Sequence, residues 1–369
     1  MILRGPARRR LARWGLGLVA VVSAACAGPA GVHRSLAPAG EVAVQAGGSQ
    51  EPAVSEPAAA DGLILRERRG GVMGTTFMLE ALGADAERLD AALDAAEAEL
   101  RRIEDLMTTW RTSPLTELNA RSGQGPVVVE RELAQIIDQS LRVAEATGGA
   151  FDPTWYSAGK LWDFKAPVPT IPAGEDIATA LEHVGYGRVK VDLAASTVEL
   201  EAGTVLGLGG IAKGYGVDRA LAVLREHGIE HGMVDAGGDL RVIGRKHGEV
   251  WQIAVRHPRR RGDVLAVIPL ANIAVVTSGD YERFFELDGV RYHHILDPRT
   301  GRPATGAMSA TVIGPEAGLC DALATALCVM GPEQGLELIE RMERVEALIV
   351  DLNGEMHLSS GLPRADERP

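Results

Sequence analysis

The chain has 369 residues, 46% hydrophobic and 24% charged, an ordinary balance for a soluble protein long enough to bury a large core. Its formal net charge of −12 excludes a nucleic-acid scaffold, which would need a basic surface to meet phosphate backbones.

The first stretch differs from the rest. Arg4, Arg8, Arg9, Arg10 and Arg13 precede the apolar run Trp14–Val22, and the small residues Ser23, Ala24 and Ala25 precede Cys26. This is the profile of a signal peptide over residues 1–26, with an apolar run too short to span a bilayer. Arg8–Arg13 resembles a twin-arginine export signal, with the general secretory route as the alternative. Cys26, followed by Ala27 and Gly28, stands where a bacterial lipoprotein is cleaved and acylated; plain cleavage after Ala25 or Ala27 is the other reading. The expected location is the periplasmic face of the inner membrane, with a lipid anchor at Cys26. Residues 27–61, rich in Ala, Gly, Pro, Ser and Glu, describe a flexible tether. A folded domain is expected over 62–360, followed by a polar tail, 361–369.

Apolar residues at Leu89, Leu93, Ala96, Leu100, Ile103 and Met107 predict an amphipathic helix over Asp85–Met107. A second helix is predicted over Glu130–Thr147, stopped by Gly148-Gly149. The short runs Val189–Val191 and Val198–Leu200 predict a hairpin. After the glycine-rich Gly207–Gly210 a helix is predicted over Ile211–His227, ended by Gly228. Strands follow at Gly232–Val234, Leu240–Ile243 and Val250–Val255. Asp288-Gly289 signals a hairpin between Phe284–Leu287 and Val290–Leu296, and Asn353-Gly354 another near the end. Between them lie predicted helices over Ala317–Val329 and Pro332–Arg344. Cys320 and Cys328, eight apart, fall at different azimuths of the first of these, so they predict buried free thiols rather than a disulfide. Strands and helices mix without strict alternation, so an α+β body with antiparallel sheet is expected rather than a doubly wound parallel one.

Three segments could carry chemistry. In Gly207–Gly216 a glycine-rich turn enters a helix, and Lys213 follows one turn later. Such a turn can aim N–H groups at phosphate while the lysine adds charge; a simple tight turn with a surface lysine is the alternative. Its spacing fits neither a Walker loop nor a dinucleotide fingerprint. Asp321 and Thr325, four apart on a predicted helix, share a face and could offer oxygens to a hard cation, or merely complement the helix dipole and bond back to a carbonyl. His293 and His294 end a predicted strand and point to opposite faces, so at most one meets a given ligand. No zinc-spaced Cys/His cluster accompanies them.

These segments, in order, resemble the FAD:protein FMN transferase (ApbE) family. The resemblance spans about Val72 to His357. It is carried by Met73–Phe77, Gly149–Thr154, Gly209–Tyr215, Val234–Asp239, Thr277–Gly279, His293–Gly301 and Asp321–Leu327. It implies a two-lobed single body with the flavin nucleotide site between the lobes. By position it implies flavin-nucleotide contacts at Met73, Trp110, Ala150, Phe151, Asp152, Lys213 and Ile295. Mg²⁺ is implied at Gly210, through its carbonyl, and at Asp321 and Thr325, and His294 is implied beside the scissile pyrophosphate. The chain departs from the pattern at Gly207, where the family commonly has Asp.

The implied reaction is Mg²⁺-dependent. FAD is cleaved, FMN is joined to a Thr or Ser hydroxyl of a target flavoprotein, and AMP leaves, with His294 as base. The implied acceptors are exported subunits of redox-driven ion pumps and related electron-transfer proteins. Two alternatives use the same cleft: hydrolysis of FAD to FMN and AMP, and passive FAD binding.

Overall fold

The structure, a computed structural model, describes residues 61–363 and the two-residue strand Ala20–Val21. Apart from that strand, the expected signal peptide, Cys26, nearly all of the tether and residues 364–369 of the tail lie outside the described residues.

Strands β1 (Ile64–Val72) and β2 (Thr75–Gly83) form a hairpin whose two turn residues, Met73 and Gly74, have φ of 51° and 71°. Two successive positive φ values give the turn a twist that matches its strands. A methionine is uncommon there, and the consequence is a side chain aimed into the molecule. Helix α1 (Ala86–Met107) follows, with Asp85 accepting the Arg88 N–H at 3.2 Å as its cap. The whole predicted stripe, from Leu89 to Met107, is buried. Helix α2 (Arg131–Ala146) ends as expected, with Gly148 and Gly149 at φ of 60° and 81° and the Gly149 N–H bonded to Ala144 O at 2.8 Å.

Helix α3 (Ala212–Glu226) stops at Gly228, φ 71°. Strands β3 (His231–Ala236) and β4 (Asp239–Ile243) then turn about Gly237-Gly238, and β5 (Trp251–Arg256) pairs with β6 (Val264–Leu270). Strands β7 (Ala274–Gly279) and β8 (Ser309–Gly314), helix α4 (Ala317–Glu340), and strands β9 (Glu346–Val350) and β10 (Met356–Leu358) complete the body.

Eight strands make one sheet in the order β10-β9-β8-β7-β4-β3-β2-β1, antiparallel at every junction. The expected α+β class with antiparallel sheet is therefore the observed one. Side chains alternate across the sheet with period two. Leu79, Val234, Ala236 and Val276 pack on one face against Leu93 and Leu100 of α1, Leu221 of α3 and Leu323 of α4. Met233, Val242, Val275 and Leu348 pack on the other against Trp251 and Ile253 of β5 and Ile268 of β6.

The segments Ala317–Val329 and Pro332–Arg344 are two helical runs within α4, as expected, broken where Gly331 takes φ 76° and ψ −179° before Pro332, and the second run ends at Glu340. One sequence expectation needs correction. The hairpin about Asp288-Gly289 pairs Phe284–Leu287 with Val290–His293 and stops there instead of reaching Leu296. Leu296–Asp297 pairs with Arg302–Pro303 instead, closed by the Asp297–Gly301 turn, in which Asp297 accepts the Arg299 N–H at 2.9 Å and Gly301 takes φ 64°. Cys320 and Cys328 are free and buried as predicted, and burial pushes the Cys328 thiol up to about 12.

A smaller lobe has its own core of Trp162, Ile177, Phe285 and Leu296. Trp162 stacks on Phe164 at 5.8 Å between ring centres. The two lobes face each other across a cleft.

Candidate functional site

The cleft measures about 720 Å³ and is lined from both lobes. The structure brings to its wall Met73, Trp110, Ala150, Phe151, Asp152, Gly210, Lys213, His294, Ile295, Asp321 and Thr325, all expected at the site, and leaves out His293.

Its floor is the junction of two helix N-termini. The side chain of Asp321, on α4, accepts the N–H of Gly214, on α3, at 3.2 Å. In return Asp218, on α3, accepts the N–H groups of Ala317 and Gly318 at the start of α4, at 3.0 and 2.9 Å. Each helix thus caps the other, satisfying donors that a helix start leaves without internal partners. Such contact requires a glycine: a Cβ at Gly214 would lie 2.2 Å from Ala317 O. Arg241 Nη1 donates to Asp218 Oδ1 at 2.6 Å.

Lys213 reaches between two carboxylates. Its Nζ pairs with Asp239 Oδ2 and lies 3.5 Å from Asp321 Oδ1. Burial alone would lower its pKa, but Asp239 and Asp321 overcome that and hold it above the ordinary lysine value. Burial, reinforced by repulsion from Asp321, raises the Asp239 carboxyl against the pull of Lys213. Asp239 Oδ1 is buried without a hydrogen-bond partner.

Beside this group, Ser278 Oγ lies 3.4 Å from Thr325 Oγ1. A Cβ at Gly210 would sit 3.3 Å from that same Thr325 oxygen and 3.2 Å from the Phe151 ring, so the glycine backbone comes close to both. Met73, from the β1–β2 turn, sends its Cε to within 2.7 Å of where a Cβ at Gly216 would be.

The two histidines divide as their alternation predicts. His293 Nε2 bonds to Ala304 O at 2.9 Å inside the small lobe, while His294 lines the cleft with Nδ1 buried and unpartnered. Burial, with Arg283, His293 and Lys213 nearby, pushes His294 down to about 3. The imidazole is therefore neutral at physiological pH, and a weaker base than an exposed histidine.

Asp152 uses its carboxylate within the fold. Oδ1 accepts the Thr154 N–H at 2.8 Å and Oδ2 the Tyr186 N–H at 2.8 Å, which pins the loop carrying Ala150 and Phe151. Ile295 O accepts the Ala304 N–H at 2.9 Å and holds the opposite wall. Trp110 stands at the rim, 61% exposed.

No side chain fits at Gly207 as the protein stands. A Cβ there would lie 2.7 Å from Tyr156 Cβ and 3.0 Å from its Cγ. The place of the side chain that family resemblance leads one to expect is filled by a tyrosine.

The sequence reading passes over Asp218, Trp155, Tyr156 and Arg283, and it includes Asp239 and Ser278 only as parts of marker segments. Away from the cleft, Asp351, Glu355 and His357 bring potential ligand atoms within 4.8 Å of one another. Asp351 Oδ1 there accepts the N–H groups of Asn353 and Glu355, both at 2.9 Å, in the β9–β10 turn, which is a structural task.

Residues 73–349 match the profile of the ApbE family. The FAD:protein FMN transferase of Treponema pallidum is 36% identical over 295 residues, covering 75% of this chain and 82% of that protein. The corresponding protein of Vibrio cholerae is 33% identical over 298 residues, covering 76% and 86%. Among solved structures, the ApbE protein of Thermotoga maritima superimposes with a TM-score of 0.73 at 36% identity, covering 80% of this chain and 97% of its own. The flavin transferase ApbE of Vibrio cholerae gives 0.72 at 29% identity, covering 81% and 98%. With the family profile, the full-length relatives and the fold in agreement, the chain belongs to the ApbE family and is a flavin-transferring enzyme of the FAD:protein FMN transferase type.

Proposed function

We propose that the enzyme requires Mg²⁺ and transfers FMN to a Thr or Ser hydroxyl of an exported flavoprotein, such as a subunit of a redox-driven ion pump. The hydroxyl oxygen bonds to the FMN phosphorus, the pyrophosphate P–O bond breaks, and AMP leaves. The observation that carries this reading is the junction of α3 and α4, where Asp321, Thr325 and the Gly210 backbone face one cleft beside Lys213.

Those donors suit the ion. A carboxylate, a hydroxyl and a carbonyl are hard oxygens, and Mg²⁺ takes few protein ligands, completing its shell with water and phosphate. The unpartnered, buried Oδ1 of Asp239 adds acceptor capacity next to them. Bound there, Mg²⁺ would neutralise the charge that develops on the transferring and leaving phosphates.

The chain's own residues do the rest. Lys213, held charged by its two carboxylates, supplies positive charge. The paired helix N-termini bring their partial positive charge to the same junction. Neutral His294 takes the hydroxyl proton as the O–P bond forms, and the phosphates' negative charge, once bound, favours its protonation. The N-terminal sequence supports work outside the cytoplasm, with Cys26 as lipid anchor and residues 27–61 as tether.

Purified protein, FAD, Mg²⁺ and a threonine-containing target peptide provide the test. Covalent, fluorescent FMN on the peptide with release of AMP is expected, lost on chelation and in Asp321→Asn. FMN and AMP without adduct would mean that water is the acceptor; full activity after chelation would remove the metal.

A further inference from the structure

Two cleft residues are glycine because space demands it. Neither Gly159 nor Gly207 is among the residues with positive φ, so backbone conformation does not require glycine at either. Space does: a Cβ at Gly159 would lie 2.1 Å from Cζ3 of Trp155, and one at Gly207 would lie 2.7 Å from Tyr156. Two absent side chains make room for two rings.

Those rings are held firmly. Trp155 Nε1 donates to Gly207 O at 3.0 Å, and Trp155 meets Tyr156 edge to face with centroids 5.4 Å apart. Asp152 caps the turn Pro153–Trp155 that carries the pair. Both rings line the cleft. The chain has five Trp, five Tyr and five Phe, and six of these line this one cleft, some of them also packing in the cores beneath it. FAD is two flat ring systems joined by a pyrophosphate. The charged floor suits the pyrophosphate, and flat apolar walls suit the rings.

We propose that Tyr156, braced edge to face by Trp155, forms a stacking wall for one ring system of FAD, and that Gly207 and Gly159 are glycine to admit the pair. The inference rests on FAD as substrate. It gives Gly207 a function: where family resemblance suggests a carboxylate contact, this enzyme presents an aromatic ring, so at this one position stacking takes the place of charge.

The test is binding without turnover, with chelator present and no acceptor. Tyr156→Leu is expected to weaken FAD binding about tenfold, the scale of one lost ring stack, while Tyr156→Phe binds like the parent. Gly207→Ala, which must displace Tyr156 at its Cβ and Cγ, is expected to weaken binding as well. Melting temperatures separate loss of the wall from loss of the fold. Measuring AMP and FMN separately identifies the ring, since only the one that stacks loses affinity in Tyr156→Leu. Parental affinity of a folded Tyr156→Leu for FAD, AMP and FMN alike would overturn the proposal. No transfer is measured, so failure of the metal-dependent reaction leaves this result standing, whereas a parent chain that does not bind FAD would remove the substrate reading itself.

Discussion

Asp218 accepts the N–H of Gly318 at 2.9 Å and so caps a helix to which it does not belong. The residue at the start of α4, Glu316, makes no side-chain cap of its own. The carboxylate that faces the cleft, Asp321, sits one turn further along the same helix and closes α3 in exchange. The geometry of the site is thus set by the docking of two helices, not by a loop.

Asp218→Ala removes that cap and leaves Arg241, now paired at 2.6 Å, without its partner. A loss of about 2–3 kcal/mol is expected, combining a lost cap with an unpaired, largely buried charge. Urea unfolding measures it. In whatever fraction folds, the transfer rate should fall, because Asp321 is no longer held in place. Asp218→Asn keeps an acceptor oxygen and should lie between.

The depression of His294 to about 3 makes an acid-sensitivity prediction with a definite sign. Unfolded, the imidazole titrates near 6.5; folded, it stays neutral until far lower pH. Between these values the unfolded chain binds more protons, so stability rises with pH through this window and is lost as pH falls from about 6.5 toward 3. Melting temperature followed over that range should decline, and in His294→Asn the decline should be shallower. An equally steep decline would show that the histidine is not buried neutral.

Gly331 occupies φ 76° and ψ −179°, a region closed to residues with a side chain, and a Cβ there would lie 3.0 Å from Gly306 O. Gly331→Ala should therefore cost about 2 kcal/mol. The bend lies beyond Thr325, so transfer per folded molecule should be unchanged. Thermal unfolding alongside an activity assay checks both halves.

Local signals in the chain were sufficient for α1 and α3, whose apolar faces or glycine stops announce them. They were insufficient for β8, because every residue of Ser309–Gly314 is buried and a strand covered on both faces shows no alternation. The break between the two runs of α4 is legible too, since Gly331-Pro332 is a helix-stopping pair and Gly331 is indeed non-helical. At the cleft, local pattern marks Lys213, Asp321, Thr325 and His294 as candidates, each with a structural alternative, and the other residues come from family resemblance; nothing in their spacing shows that Asp321 meets Gly214, 107 residues away. Trp155 and Gly207 stand 52 residues apart, so the glycine's reason was equally invisible.

The double duty of Asp321 bears on how a substrate complex could be captured for imaging. Removing its carboxylate outright would open the end of α3 at the same time as it disarmed the cleft, so a lost complex would have two causes. Thr325 has no such structural debt: its hydroxyl neighbours Ser278 Oγ at 3.4 Å and closes no helix. Thr325→Val, which keeps the shape and deletes the oxygen, is the better choice for holding intact dinucleotide in a frame that is otherwise undisturbed.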